Sequence, residues 1–517
     1  MQGRSRTKPR ATALTLICLL AVAGGCATVD FDTPKTESYA VTDTDDTFLA
    51  ARAAYFIGDR TGESGFAIIP DAASALAMRM FGARRAERTI DVQYYLIKAD
   101  KAGLLLINEL LEAADRGVRV RILVDDILTK GYDRGMVAMN AHPNIQIRVF
   151  NPFARRSARA LNFLGDFRRL NRRMHNKSFT ADNQYTIIGG RNIGDEYFAG
   201  HEESNFGDLD IVCVGPVVRE VSDMFDLYWN YRLAVPVDAV VEPPEDPFQE
   251  LAALRSRIAV ALVDANTRQY EAVIENIQKH QHLSPKDLEW VPYQLVYDSP
   301  DKADKRLAAE AETMVPPLRE AILAGEKELI IVSPYFVPRS TMDGFRELRE
   351  RGMRVRVVTN SLAANNHLVV HAGYAPARKP LLRMGAELYE IRPDARVEGV
   401  EETGFAESGG TLHAKFFIVD REKLFIGTFN WDPRSKDLNT EMGIILESPR
   451  FAGALADVVD AGIPERAYTV TLDDQDRLRW TTQVDGQEVT FTKEPETTWW
   501  QRFKVGLYRM LPIRGQL

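Results

Sequence analysis

Residues 174–192 read MHNKSFTADNQYTIIGGRN, and residues 412–430 read LHAKFFIVDREKLFIGTFN. The two stretches share five residues in fixed register: His175 with His413, Lys177 with Lys415, Asp182 with Asp420, Gly189 with Gly427, and Asn192 with Asn430. Each pair lies 238 positions apart (413 minus 175). Either stretch alone is an ordinary polar patch at the start of a strand. Held in register twice, the shared residues mark an internal duplication, and such a repeat decides the architecture before local detail is read.

The duplication extends outward. RGVRVRILV at 116–124 returns as RGMRVRVVT at 351–359. Each follows a helical pattern, GLLLINELLEAAD or TMDGFRELRE, and reads as a buried strand. Strands with aromatic residues stand ahead of the helices, DVQYYLI at 91–97 and LIIVSPYFV at 329–337. Third strands follow, IQIRVFNP at 145–152 and AELYEIRP at 386–393. Both halves run strand, helix, strand, helix-like segment, strand. This alternation predicts an α/β fold of two tandem α/β/α sandwich domains, each with a parallel or mixed sheet covered on both faces.

The halves occupy 48–235 and 306–465. Residues 236–305 are rich in Pro and acids (VPVDAVVEPPEDPF) with one amphipathic helix, and read as linker and covering structure. In 466–517, YTVTL, DRLRWTTQV and QEVTFT alternate with period two, and Asp485-Gly486 supplies a hairpin turn. TWWQRFKVGLYRMLPI at 498–513 then mixes aromatics with Arg and Lys. It suits a membrane interface anchored by Trp499 and Trp500, or equally a helix closing on the body.

The chain has 517 residues, 45% apolar and 27% charged, which is a folded body of more than one domain. A net charge of -8 excludes a general polyanion binder, so phosphate must be met by local basic patches. The N-terminus differs from the rest. MQGRSRTKPR is basic without an acid, and ATALTLICLLAVAGG is an apolar run of fifteen residues. That is short for a membrane span and suits the core of a signal peptide, residues 1–25. Ala23-Gly24-Gly25 before Cys26 resembles the lipobox of bacterial lipoproteins, with Ala23 where leucine is usual. Acyl chains on Cys26 would tether the chain to a membrane, through a flexible polar stretch at 26–47. By the same analogy, Ala27 favours the outer membrane, facing the periplasm. Of three cysteines, Cys18 lies in the signal and Cys26 at the lipidation site. Only Cys213 remains, in DIVCVG, so the mature chain forms no internal disulfide.

The repeated residues suggest a chemistry. Residues two apart on a strand share a face, so His175 presents with Lys177, and His413 with Lys415. Two halves facing each other would gather two imidazoles and two ammonium groups in one cleft. That set suits a phosphodiester. One histidine attacks phosphorus and becomes a phosphohistidine. The other protonates the leaving alkoxide and then deprotonates the acceptor. The lysines neutralise the non-bridging oxygens, so neither metal nor cofactor is required. Asp182 and Asp420 complete the repeated catalytic signature and, placed before the hairpin returns, take a structural role in it. Asn192 and Asn430 can hydrogen-bond the phosphate or the site's own loops. Each histidine needs an acceptor to fix its tautomer. Asp210 in DLDIVCVG and Glu441 in NTEMGIIL sit in equivalent strands and are the candidates.

The doubled HxKxxxxD…G[GT]xN pattern resembles that of the phospholipase D superfamily. RLNRRMHNKSFTAD, GGRNIGDEYF, VTNSLAANN, HAGYA and GTFNWDPRS…LNTEMG are similar to the bacterial cardiolipin synthase C group, across most of the mature chain. The resemblance implies transfer of a phosphatidyl unit between phospholipids, with phosphatidylglycerol as acceptor and phosphatidylethanolamine as donor. It also implies His175 as nucleophile and His413 as general acid and base. The lipobox-like start departs from the group's simplest form and puts the site outside the cytoplasm. The partners to expect are anionic and zwitterionic phospholipids and a membrane surface. No nucleic acid is expected, and an unidentified accessory protein is left open. A hydrolase sharing the first half-reaction, acting on phospholipid or nucleic acid, is the alternative.

Three further features have a functional and a bland reading. Residues 153–173 carry seven arginines among Phe and Leu, a collar for anionic headgroups or a helix paired with acids. His367 and His371 have metal-ligand spacing without an acidic partner, and read as cleft lining or packing. His280 and His282 lie in polar KHQHLSPKD and read as solvent-exposed. No Walker loop, dinucleotide fingerprint or Cys-rich metal pattern is present.

Overall fold

The computed structural model describes residues 28–510, apart from 70, 155, 157, 199–205, 266–272, 274–284, 394–410 and 485. The signal segment, Cys26, His280 and His282 lie outside the described residues.

The first half supplies β1 (Gly65–Ile69), β2 (Thr89–Tyr94), β3 (Arg119–Asp125), β4 (Ile145–Phe150), β5 (Ser178–Ala181), β6 (Tyr185–Gly189), β7 (Phe206–Gly207), β8 (Asp210–Val214) and β9 (Ala234–Pro236). The connection supplies β10 (Glu289–Trp290) and β11 (Tyr293–Tyr297). The second half supplies β12 (Glu328–Val332), β13 (Arg354–Asn360), β14 (Glu387–Ile391), β15 (Thr411–Leu412), β16 (Phe416–Val419), β17 (Lys423–Gly427) and β18 (Met442–Glu447). Strands β19 (Ala467–Leu472), β20 (Leu478–Val484) and β21 (Gln487–Phe491) follow.

Two large sheets result, ordered β10-β1-β8-β6-β5-β2-β3-β4-β9 and β11-β18-β17-β16-β12-β13-β14-β19-β20-β21. The run β8-β6-β5-β2-β3-β4 is repeated as β18-β17-β16-β12-β13-β14. Only β2, β3 and β4, and likewise β12, β13 and β14, pair in parallel, so the sheets are mixed. Register repeats as well: Ile90 faces Ala181 in one half, and Leu329 faces Val419 in the other.

Helices cover both faces of each sheet. In the first half, α1 (Ala72–Arg85) and α2 (Lys101–Asp115) lie outside, α3 (Arg159–Leu170) follows β4, and α4 (Pro216–Asn230) lies inside. After α5 (Pro247–Ala265), the second half has α6 (Val315–Leu323) and α7 (Met342–Glu350) outside, α8 (Leu368–Tyr374), and α9 (Pro449–Arg466) inside. The repeated Arg-Gly has a local cause. Gly117 and Gly352 sit at φ 96 and 82, just past α2 and α7. There a left-handed residue lets the Val118 and Met353 N–H reach back to the Ala113 and Leu348 carbonyls and ends the helix. The sheets meet through one apolar cluster. It joins Ile188, Ile211 and Trp229 of the first half to Ile330, Phe416 and Ile444 of the second. Cys213 lies buried and unbridged in it.

Three sequence expectations need correction. Residues 28–47, expected as a flexible tether, are laid on the first half. Lys35 donates to the Ala234 carbonyl at 2.9 Å, Arg148 to the Thr36 carbonyl at 2.6 Å, and the Ala40 N–H to Asp226 at 2.6 Å. The docking uses backbone groups, which low apolar content does not reveal. The connection 236–305 gives an edge strand to each sheet. Residues 467–491 form the three strands read in the sequence, with a hairpin between β20 and β21, and these join the edge of the second sheet. The arginine collar faces largely inward: Arg156 and Arg159 pair with Asp126, Arg173 with Asp125, and Arg169 with Asn151. The final helix α10 (Trp499–Tyr508) fits both of its readings. Val505 packs against Leu362 and Ala372, while Trp499 and Trp500 stay 59% and 62% exposed.

Asp182 and Asp420 sit at the far end of β5 and β16 from the histidines, at φ 49 and 56. The Asp182 carboxylate accepts the N–H groups of Glu87, Arg88 and Thr89 at 2.8 to 3.0 Å. Asp420 does the same for Glu326, Lys327 and Glu328 at 2.7 to 2.8 Å. Each carboxylate caps the start of its half's first parallel strand. The role is therefore structural, as their place before the returns predicts. Asp182→Ala should cost roughly 3 kcal/mol of stability, because buried N–H groups lose a charged acceptor. Denaturant unfolding measures this, and turnover per folded molecule should stay within a few-fold of the parent.

Candidate active site

The segments His175–Lys177 and His413–Lys415 run into β5 and β16 from the domain interface. Each is held by the opposite half. The His175 N–H donates to the Thr440 carbonyl at 2.9 Å, and the Thr440 N–H donates to the Arg173 carbonyl at 2.9 Å. The His413 and Ala414 N–H groups both donate to the Gly207 carbonyl, at 2.8 and 2.9 Å. Just before this, β15 pairs in parallel with β7, and the Asn360 side chain clamps Leu412 at both backbone groups.

The side chains cross in the same way. His175 Nδ1 lies 2.7 Å from Glu441 Oε2, and His413 Nδ1 lies 2.5 Å from Asp208 Oδ2. Glu441 thus has the role expected of it. Asp210 does not, and this is a correction: it accepts from Arg79 Nη2 at 2.8 Å, with Arg191 Nη1 at 3.4 Å. Ladder pairing explains the exchange. Gly189 pairs with Asp210, and Gly427 pairs with Gly443. Glu441 stands two residues before Gly443, so its counterpart stands two residues before Asp210, at Asp208. The offset between halves has fallen here from 238 to 233 (441 minus 208), because the intervening loop is longer in the first half. Aligning Leu209-Asp210-Ile211 with Met442-Gly443-Ile444 would have revealed it.

The two carboxylates are seated differently. A Cβ on Gly190 would fall 2.1 Å from Asp208 Oδ1, so only glycine lets this acid in. The equivalent residue in the second half is Thr428, which donates its hydroxyl to Glu441 Oε2 at 2.5 Å. Ser435 donates to Glu441 Oε1 at 2.7 Å, and Asp298, itself paired with Lys302, accepts the Glu441 N–H at 2.8 Å. Edge-on rings complete the enclosure: Tyr95 packs on His175 and Tyr197 on His413, with centroids 4.9 and 5.1 Å apart. Asp208, Ser435, Tyr95 and Tyr197 lie outside the repeated motif and are identified by contact, whereas Thr428 stands at its glycine-or-threonine position.

All four repeated bases are buried in one electrostatic cluster. Burial, partly offset by Glu441 and aided by Lys177, lowers His175 to about 4. Burial and Lys415 lower His413 to about 3. Burial also lowers Lys177 to about 7 and Lys415 to about 8, against the pull of Glu441 and Asp208 respectively. Burial alone would raise Asp208, but Lys415 and His413 outweigh it and hold it at about 2. Glu441 is likewise lowered: burial opposes ionisation, and His175 and Lys177 overcome it. The imidazoles are therefore neutral and the carboxylates ionised, which puts the ring proton on Nδ1 and the lone pair on Nε2. Lys177 is fixed by donating to the His175 carbonyl at 2.8 Å, and Lys415 donates to that of His413. Lys415 Nζ also lies 2.9 Å from His413 Nδ1 and 3.3 Å from its Nε2.

Asn192 donates to Tyr197 Oη at 2.8 Å, and the Asn430 N–H donates to Ser435 Oγ at 3.2 Å. The Oδ1 atoms of both asparagines are buried without a hydrogen-bond partner. His371 is buried against Arg378 and Glu494, whereas His367 caps α8 and meets the Tyr335 ring edge-on. Among the described residues, no group of three or more His, Cys, Asp or Glu is placed to hold a metal ion. The arrangement offers a paired nucleophile and acid–base, with two cations for a phosphoryl group.

The assignment of Asp208 separates two variants. Asp208→Asn should lower kcat on a phosphodiester roughly 100- to 10,000-fold at unchanged stability, because the His413 tautomer is no longer fixed. Asp210→Asn should instead cost about 3 to 5 kcal/mol in denaturant unfolding, leaving Arg79 a buried cation without its partner. Wild-type kcat in Asp208→Asn contradicts the assignment.

Comparison with known proteins agrees with this geometry. Residues 83–229 and 318–461, one span in each half, match the family described as "Cardiolipin synthase, PLD-like domain". The chain is 40% identical over 475 residues to cardiolipin synthase C of Escherichia coli K12, covering 91% of this chain and 99% of that protein. It is 27% identical over 382 residues to cardiolipin synthase A of Pseudomonas syringae pv. syringae, covering 73% of this chain and 64% of that protein. The crystal structure of phosphatidylserine synthase from Haemophilus influenzae superposes with a TM-score of 0.52 at 15% identity, over 81% of this chain and 92% of that one, and so shares the fold. With both halves matched and the duplicated site intact, the chain belongs to the cardiolipin synthase family of phospholipase D-like proteins.

Proposed function

We propose that the chain is a phosphatidyltransferase forming cardiolipin from phosphatidylglycerol and a second phospholipid, phosphatidylethanolamine, through a covalent phosphohistidine. The observation that carries this reading is the crossed pairing of two neutral imidazoles with carboxylates, inside the field of two buried lysines. His175 Nε2 attacks the donor phosphorus, and the bond to the ethanolamine oxygen breaks. His413 protonates that oxygen. The phosphatidyl group then sits on His175. His413 takes the proton from a glycerol hydroxyl of phosphatidylglycerol, whose oxygen attacks phosphorus and releases His175. Negative charge on the bound phosphodiester raises the His413 pKa toward the acid role.

The reading includes a membrane surface. Among the described residues no helix is long and apolar enough to cross a membrane. α10 presents Trp499, Trp500 and Phe503 to solvent as one group, Trp499 stacked on Phe503 and Trp500 edge-on to both, carries Arg502 and Lys504, and has no acid. This composition suits the interface of an anionic bilayer. Export and acylation of Cys26, with the outer membrane favoured, complete the proposal.

Lipid mass spectrometry of cells lacking their own cardiolipin synthases tests it. Expression should produce cardiolipin, and His175→Ala should abolish it. An alkyne fatty acid fed to the same cells should label the protein, but not Cys26→Ala. Phosphatidic acid rising without cardiolipin would sink the transferase reading in favour of hydrolysis. The pH profile is a second test. His175 is neutral above about 4, and Lys177 and Lys415 are cationic below about 7 and 8. Loss of charge on the two lysines should therefore make kcat/KM fall as pH rises through 7 to 8. A profile still flat at higher pH contradicts the role of the buried lysines.

A further inference from the structure

The halves differ in how they cover the outer faces of their sheets. α1 and α2 precede and follow β2 and pack against each other. Their counterparts, α6 and α7, precede and follow β12 but have nine residues each instead of 14 and 15. They leave a slot of about 400 Å³ between them. Both helices run roughly 13 Å, and the slot follows them. Val315, Leu318 and Ile322 line it from one face of α6, and Phe345 and Leu348 line it from α7. Its floor is aromatic, from Phe417, Phe429 and Trp431.

The slot adjoins the active site through one loop. Phe429 and Trp431 turn into it, and Asn430 between them is tied to Ser435, which holds Glu441. Trp431 Nε1 donates to Thr341 at the start of α7, so this end of the slot is the active-site end. The charged residues at its border are mixed: Asp432 and Lys436 of the same loop, Arg319 of α6, and Asp343 and Glu347 of α7.

A narrow aliphatic and aromatic slot does not suit a peptide, whose N–H and C=O groups would go unpaired. It suits an unbranched hydrocarbon, with the mixed charges at its border left to a polar head. We propose that it is the binding site for one acyl chain of the phospholipid whose phosphate meets His175 and His413. This rests on the reading of the site as acting on phospholipids.

Photo-crosslinking tests it without requiring turnover. The full chain and its His175→Ala variant are mixed in micelles with phosphatidylethanolamine carrying a diazirine at the end of one acyl chain, irradiated and mapped by mass spectrometry. Label is expected within 315–323 and 342–350 in both proteins. Two filling variants, Val315→Trp and Gly344→Leu, should lose that label. A Cβ at Gly344 meets nothing within 4 Å, so the added side chain is tolerated. Both should keep turnover of short-chain phosphatidylethanolamine while losing that of the long-chain donor. Label confined to other segments such as α10, label retained in both filled variants, or equal loss for short and long chains overturns the proposal. If the protein proves a hydrolase, the crosslink is still expected, so the two readings fail separately.

Discussion

Each catalytic imidazole is held by a carboxylate from the other half, and the rest of the molecule is arranged around that crossing. Burial lowers both imidazoles far below their usual range, and the carboxylates stay ionised only because buried lysines and the imidazoles face them. An isolated half would leave a buried carboxylate or a free imidazole without its partner, so function requires the pair. The shared apolar cluster between the sheets holds the crossing in register.

Duplication followed by divergence explains the asymmetries around this centre. Glycine at 190 admits the short acid Asp208, whereas Thr428 in the same place hydrogen-bonds the longer Glu441. The outer helices close over the first sheet and stay apart over the second. One copy of a repeat can keep the chemistry while the other changes its surroundings, because the reacting groups come from short segments at strand ends.

Much of this was legible in the chain. The fixed spacing of His175, Lys177, His413 and Lys415 carries the site, and the alternation of buried strands with helical stretches carries the mixed sheets. The role of Asp182 and Asp420 also follows from their place before a return. Asp208 was not legible, because the candidate strand held two aspartates and only ladder register chooses between them. Nor was the docking of residues 28–47, whose contacts run through backbone carbonyls. The arginines of 153–173 looked like a surface collar, but Asp125 and Asp126, distant in sequence, draw them inward.

The sequence by itself determined the repeat, the fold class and the reacting residue types, because these depend on periodicity and spacing along one chain. Only the tertiary structure decided which acid serves which histidine, which arginines face solvent, and where the outer helices part. Those outcomes depend on register between strands and on packing between halves, and a linear pattern contains neither.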